Sequence, residues 1–320
     1  DLKRILLILG LTGWVAAAAA QLRWQESADY NTQLPGSVRV FETKDTLDGK
    51  PFRAFYLIAD LKDKQLDFVT RTGDGKRFTP AQYAEKDGNN TLAVVNTTFF
   101  SFKDNSNLNL VISDGKVKAV NPKMIVNPTG GGKTDTIYPT TGAFGISRQR
   151  QADIAWVYNV GRKDKPFAYS APAAPITTSD GQVQYIRPSR KYPSGAHRWR
   201  MRQAVGGGPI LVQDGKVFIT SKEEHKFGYA EQDMHPRTAI GYTKDHKLIL
   251  LAVEGRHKGI ADGASLPQLA DIMISLGCVE ALNLDGGGSS CLYVAGKNTI
   301  YPSDKGAQRP VPAVLVIKKR

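Results

Sequence analysis

Asp-Gly recurs at 114–115, 180–181 and 214–215, each time between short runs rich in β-branched and apolar residues. Asp and Gly tolerate the positive φ of a tight two-residue turn, so each pair reads as a hairpin. Hairpins join neighbouring strands antiparallel, and a chain punctuated this way is committed to antiparallel sheet. Strand-like runs at 37–43, 52–61, 65–70, 91–95, 248–253, 281–284, 291–294 and 311–317 extend the pattern. Two segments carry helix signals. Thr79-Pro80-Ala81-Gln82 is a capping box with Pro in the first turn. Ser265 and Gln268 form a second such box, after which Leu266, Leu269, Ala270, Met273 and Leu276 share one face until Gly277. The expected fold is α+β: a mixed, mostly antiparallel sheet with few helices. Residues 110–117 and 210–217 are alike enough for an old duplication or a coincidence. The Pro-, Ser-, Tyr- and Arg-rich stretch 152–202 reads as long loops with a few short strands, either a rim over a site or a surface excursion.

The 320 residues, 41% of them hydrophobic, suffice for one sizeable core and at most two domains. Lys3 and Arg4 precede an apolar run and then five alanines, the layout of a secretory signal peptide. The run is short for a membrane span, although the alanines would lengthen an uncleaved anchor. The expected organisation is a signal peptide at 1–20, a polar leader at 21–36 and one domain at 37–320. The product would be secreted or periplasmic, with no stable membrane span after cleavage. A net charge of +13 favours anionic partners. Because the cations are scattered and no nucleic-acid module occurs, nucleic acid is not expected among them. Export would permit a disulfide between the two cysteines, Cys278 and Cys291. If 281–284 and 291–294 pair as a hairpin, however, Cys291 falls opposite Leu284, so free buried thiols are expected.

The sharpest chemical signal is Asn283-Leu284-Asp285-Gly286-Gly287-Gly288-Ser289-Ser290. Three glycines after a buried strand cost conformational entropy. They fit a place where backbone comes very close to something, or where amide N–H groups converge on an anion. Asp285 sits at the mouth of that turn as a candidate nucleophile, base or metal ligand; the plainer reading is a turn-capping Asp. No Lys follows the glycines, so this is not a Walker loop. A second triplet, Gly206-Gly207-Gly208, precedes Pro209. His235, Arg237 and Thr238 open one strand, and Glu254 and Arg256 close the next. Arg237, Arg256 and Arg309 are candidate phosphate-binding cations, since guanidinium offers planar, bidentate recognition. Glu254 would be the second of two carboxylates, the usual equipment for glycoside hydrolysis. Asn96 ends a buried strand and could hold a sugar hydroxyl or phosphate.

As an ordered set these motifs resemble the phosphodiester glycosidase family, from about residue 96 to 317. Asn96-Thr97-Thr98-Phe99-Phe100 is similar to its Asn-Gly-Gly-Phe-Phe segment, and 206–209 to its Gly-Gly-Pro loop. Arg237-Thr238-Ala239-Ile240-Gly241 and 283–290 match its Arg-Thr-Ala-Ile-Gly strand and Asn-Leu-Asp-Gly-Gly-Gly-Ser hallmark. Residues 301–304 and 309–311 resemble its closing segment. Thr97 and Thr98 depart from two glycines, and Glu254 stands where Asp is usual. The resemblance implies hydrolysis of a sugar-1-phosphodiester at the anomeric carbon, giving free sugar and a phosphomonoester. Asp285 and Glu254 would be the catalytic carboxylates. Substrate and phosphate would meet Asn96, Gly207, Gly208, His235, Arg237, Thr238, Arg256, Asn283, Gly286, Gly287, Gly288, Ser289 and Arg309. The partner would be a phosphorylated sugar or polysaccharide, either as substrate or, without turnover, as ligand. No cofactor is demanded, although carboxylates could hold a Ca²⁺ or Mg²⁺.

Overall fold

The computed structural model describes residues 22–130, 133–226 and 230–320; the expected signal peptide lies outside them. Among the described residues no helix is long and apolar enough to cross a membrane. Three antiparallel sheets of eight, seven and five strands face one another, with two small hairpins beside them. All three sheets contribute to one shared core, which includes Leu57, Val95, Phe144, Trp156, Ile240, Leu282 and Leu315. This is the expected α+β class, and every strand pairing among the described residues is antiparallel.

All three Asp-Gly pairs close hairpins, two of them with positive φ at both residues; at 180–181 only Gly181 has it, at 81°. Asp114 and Gly115 have φ of 48° and 77°, and Asp214 and Gly215 of 51° and 70°. Each turn joins a strand to its antiparallel neighbour. A fourth, Asp48-Gly49, closes the longest hairpin, Val38–Leu47 with Lys50–Asp60. Both capping boxes form. Helix Pro80–Asp87 covers the five-stranded sheet through Tyr83, and helix Leu266–Ser275 covers the eight-stranded sheet through Leu266, Leu269, Ala270, Ile272 and Met273.

Three readings need correction. Residues 281–284 and 291–294 do not form a hairpin: Cys278–Asn283 pairs inside the eight-stranded sheet, and Leu292–Val294 pairs with Thr91–Asn96 in the five-stranded one. The glycine turn therefore carries the chain from one sheet to another. Both cysteines are nevertheless free and buried, and burial pushes each thiol up to about 12. Second, the stretch read as loops contains Ala152–Val160 and Lys165–Tyr169, inner strands of the seven-stranded sheet. Residues 154–159 of the first are all buried, so both its faces are covered and no alternation of apolar and polar residues marks it as a strand. Third, the polar leader is folded: Gln25–Glu26 pairs with Phe41 and Glu42, and Tyr30 and Leu34 enter the core.

Register brings the chemistry to one end of the sheets. Arg237 pairs with Val253, next to Glu254; Ala239 pairs with Asn283; Asn96 pairs with Val314.

Candidate active site

A cavity of about 680 Å³ opens at that end, within the range of small-molecule sites. Its wall takes in Gly208, His235, Arg237, Arg256, Asn283, Asp285, Gly286, Gly287, Gly288 and Arg309. Asn96, Thr238, Ser289 and Glu254 stand behind that wall.

The glycine turn is bare because of what packs onto it. A Cβ on Gly286 would lie 2.7 Å from the Pro236 carbonyl oxygen, one on Gly287 3.2 Å from the Arg256 Nη1, and one on Gly288 2.0 Å from the Arg309 Nη2. The triplet is thus a bed for two guanidinium groups. The expectation that its amides converge on an anion fails at two of three positions. The Gly286 N–H lowers the pKa of the neighbouring Asp285 carboxyl, and the Gly287 N–H donates to the Pro236 carbonyl at 2.9 Å.

Asp285 is half-buried on the cavity wall. Burial pushes its carboxyl up to about 6, against the lowering effects of the Ser289 hydroxyl, the Arg309 charge and the Gly286 N–H. The Arg309 Nη1 lies 3.4 Å from the Ser289 Oγ. Since Arg can only donate, the Ser289 proton is directed to Asp285. Arg309 is itself held in a two-pronged pair with Asp304, at 2.8 and 3.0 Å. Ser289 and Arg309 thus stand behind Asp285 and favour its ionised form.

Arg237 is 7% exposed, and burial pushes its pKa down to about 10. Its Nε donates to the Ala264 carbonyl at 2.9 Å and its Nη2 to the Asp233 carbonyl at 2.8 Å, so the fork is fixed in direction. The Arg256 Nη2 lies 3.2 Å from the His235 Nδ1. That nitrogen accepts, and the neutral ring carries its proton on Nε2. Burial, Arg237 and Arg256 push the His235 pKa down against the opposing charge of Asp233, which favours the neutral ring. Neither Arg237 nor Arg256 meets a carboxylate in an ion pair among the described residues. The cavity is therefore left with positive charge and suits an anion.

Asn96 and Thr238 do not reach the cavity. Asn96 is fully buried; its Nδ2 donates to the Asp285 carbonyl at 2.7 Å, while its Oδ1 accepts from the Thr238 hydroxyl at 2.8 Å and the Cys291 N–H at 3.0 Å. It fastens the Asp285 backbone to two sheets from behind the cavity wall. Asn283 reaches the cavity, but its Nδ2 donates to the Gly208 carbonyl at 2.9 Å. Gly207 is bare because a Cβ there would sit 2.3 Å from the Asn283 carbonyl oxygen. Both contacts are with backbone, which cannot retreat. Gly207→Ala is expected to cost roughly 2–3 kcal/mol, measured by urea denaturation.

Glu254 does not face the cavity. It is fully buried, its Oε1 2.7 Å from the His257 Nδ1 and its Oε2 accepting from the Tyr301 N–H at 3.0 Å. It ties a strand end to the loop that carries Arg309. The catalytic role expected for it is displaced by this geometry. Glu254→Gln is expected to lower turnover by about tenfold or less, against the ~10²–10⁴ attached to a direct acid–base group.

Sequence reasoning missed Glu224 and Lys226. Glu224 accepts from the Gly142 and Ile210 N–H groups at 2.9 and 2.8 Å and from the Thr220 hydroxyl at 2.6 Å. Burial pushes its carboxyl up and pushes the neighbouring Lys226 ammonium down. Lys226 lies 5.2 Å over the Phe99 ring on the cavity wall. Both belong to the polar run 221–226, which carries no motif; only the third dimension brings them in. Gly208, with φ of 129°, is bare because Glu224 packs onto it: a Cβ would meet its carboxylate at 2.5 Å. Among the described residues no group of three His, Cys, Asp or Glu side chains is placed to hold a metal ion.

The family model for phosphodiester glycosidases matches residues 89–318. The chain belongs to the phosphodiester glycosidase family. The matched region spans the five-stranded sheet's inner strands and every wall of the cavity. N-acetylglucosamine-1-phosphodiester alpha-N-acetylglucosaminidase of Bos taurus is 30% identical over 111 residues, covering 32% of this chain and 21% of that protein. The SPbeta prophage-derived uncharacterized protein YomE of Bacillus subtilis is 40% identical over 117 residues, covering 36% and 17%. These matches span about a fifth of the relatives' own length. The zebrafish N-acetylglucosamine-1-phosphodiester alpha-N-acetylglucosaminidase catalytic domain, auto-inhibited by its pro-peptide, shares the fold. Its TM-score is 0.60 at 20% identity, covering 93% of this chain and 88% of that one. A hypothetical protein from Synechocystis gives 0.58 at 18% identity, covering 89% and 62%.

Proposed function

We propose that this phosphodiester glycosidase is exported and cleaves the glycosidic C–O bond of a sugar-1-phosphodiester, of the GlcNAc-1-phosphodiester kind. The products are free sugar and a phosphomonoester. The observation that carries the reading is Asp285, a carboxylate that burial pushes up, on the wall of a cavity whose arginines exceed their acidic partners. A phosphate leaving group takes the electron pair of the breaking bond and needs little proton donation. What it requires is fixed positive charge where negative charge grows. Arg237 and Arg256 supply that charge, with Lys226 and Arg309 beside them. Ionised Asp285 acts on the anomeric side, directly on carbon or by taking a proton from the attacking water. The first course retains and the second inverts configuration, which proton NMR of the fresh product distinguishes.

Hydrolysis in ¹⁸O-water tests the reaction class. Label in the released sugar is expected. Label in the phosphate would mean P–O cleavage and would sink the glycosidase reading. Tight diester binding with no product on long incubation would leave a binding protein for phosphate-bearing glycans.

A further inference from the structure

A second cation-rich site lies on the outer face of the seven-stranded sheet. Two adjoining cavities of about 470 and 380 Å³ share Arg198 and Arg200 as their seam. Arg148 lines the first; Lys165 and Arg190 line the second. None of these five cations meets a carboxylate in an ion pair among the described residues. The Arg198 Nη1 is buried without an acceptor. Burial and then the charges of Arg200 and Arg190 push the Arg198 pKa down, so the group feels mutual repulsion. The nearby carboxylates are engaged elsewhere: Asp153 accepts from the Trp199 Nε1 at 2.6 Å, Asp114 pairs with Arg202 and Asp164 with Lys123. Arg150 shows how a structural Arg in the same region is treated: its fork is spent on the Leu61, Asp63 and Leu66 carbonyls.

A buried guanidinium nitrogen without an acceptor, among like charges, is costly unless an anion completes it. We propose that this groove binds a phosphodiester-linked glycan chain, away from the catalytic cavity. The ligand's class rests on the proposed function; the anion site does not. Five cations spread over two cavities exceed what one phosphate can use, and they suit repeated phosphates along a chain. Met201 and Phe167, both half-buried, supply apolar surface between the charges, for sugar or polyol carbons. Single-stranded nucleic acid fits less well, because Trp199 is only 2% exposed and offers no open face for base stacking. Strand Thr141–Ile146 separates the two sites: Thr141 lines the catalytic cavity and Arg148 the groove. At roughly 3.3 Å per residue the strand alone sets Thr141 and Ile146 about 16 Å apart. The groove therefore holds polymer remote from the reacting sugar.

The test measures binding of a poly(glycerol phosphate) oligomer by calorimetry, in an Asp285→Asn background so that turnover does not intervene. Arg190→Gln/Arg200→Gln removes two exposed groove cations. Lys244→Gln/Lys297→Gln removes the same charge from exposed sites elsewhere. The groove pair is expected to lose about tenfold or more in affinity and the control pair about threefold or less. With Asp285 restored, the groove pair should hydrolyse a small sugar-1-phosphodiester at the unaltered rate. Equal losses in the two pairs would reduce the effect to attraction by net charge and overturn the site. Tighter groove-dependent binding of an oligothymidylate of equal charge would overturn the glycan assignment. Neither result depends on whether the catalytic cavity cleaves a glycosidic bond.

Discussion

Asp285→Asn should abolish sugar release, by on the order of 10³-fold or more in kcat, while making the protein more stable at neutral pH. The two effects share one cause. Burial raises the Asp285 carboxyl from 3.8 to about 6, so its ionised form is destabilised in the folded protein. An acid raised on folding holds its proton more tightly when folded. The penalty is therefore absent below about pH 3.8, grows between there and about 6, and is complete above. An amide of the same shape escapes it, and its one oxygen still accepts from the Gly286 N–H or the Ser289 hydroxyl. The gain at pH 7 should be at most roughly 3 kcal/mol, read as a melting temperature raised by a few degrees. At pH 4 the variant and the parent should converge. The same titration shapes catalysis. If ionised Asp285 is the working form, kcat/KM falls about tenfold per pH unit below a break near 6. A variant that loses activity and stability together would assign Asp285 to structure and not to chemistry.

Much of this site was legible in the sequence, and the limit is instructive. The Asp-Gly turns and the two capping boxes depend on chemistry within four residues of chain, so hairpins and helices could be read directly. The turn at 283–290 was legible as a place of close approach, because three glycines have no other economy. What approaches was not legible. Arg256 and Arg309 come from loops that only the sheet register brings over Gly287 and Gly288. The same limit explains the exchange of carboxylates. Glu254 has a strand end, a neighbouring Gly and a family position in its favour, yet the His257 ring and the Tyr301 N–H hold it behind the wall. Glu224 and Lys226, with no local signal at all, reach the cavity. The false hairpin at 281–294 has a related origin. Two strands joined by a short turn usually pair, but here the turn crosses between sheets because Asn96 pins the Asp285 backbone to the neighbouring strands.

Arg237→Lys should lower kcat/KM for a sugar-1-phosphodiester by about 10²-fold or more, although charge is conserved. The reason lies in how the guanidinium is held. Nε and Nη2 donate to the Ala264 and Asp233 carbonyls, which turn the remaining edge of the fork toward the cavity. Lysine offers one nitrogen for all of these places. It can satisfy a carbonyl or reach the phosphate, and whichever it leaves behind is a buried group without its partner. Loss of one fixed donor to a developing anion is worth ~10²–10³ in rate. Two controls separate this from general damage. Inorganic phosphate should inhibit the parent competitively and the variant far less, since both occupy the same fork. An aryl glycoside of the same sugar, which has no phosphate for Arg237 to grip, should be hydrolysed equally poorly by both proteins. Equal inhibition by phosphate in parent and variant would place the phosphate elsewhere, against Arg256 and Lys226. The arginine that opens the Arg-Thr-Ala-Ile-Gly strand would then be a clasp for the 233–264 loops and not a binding residue.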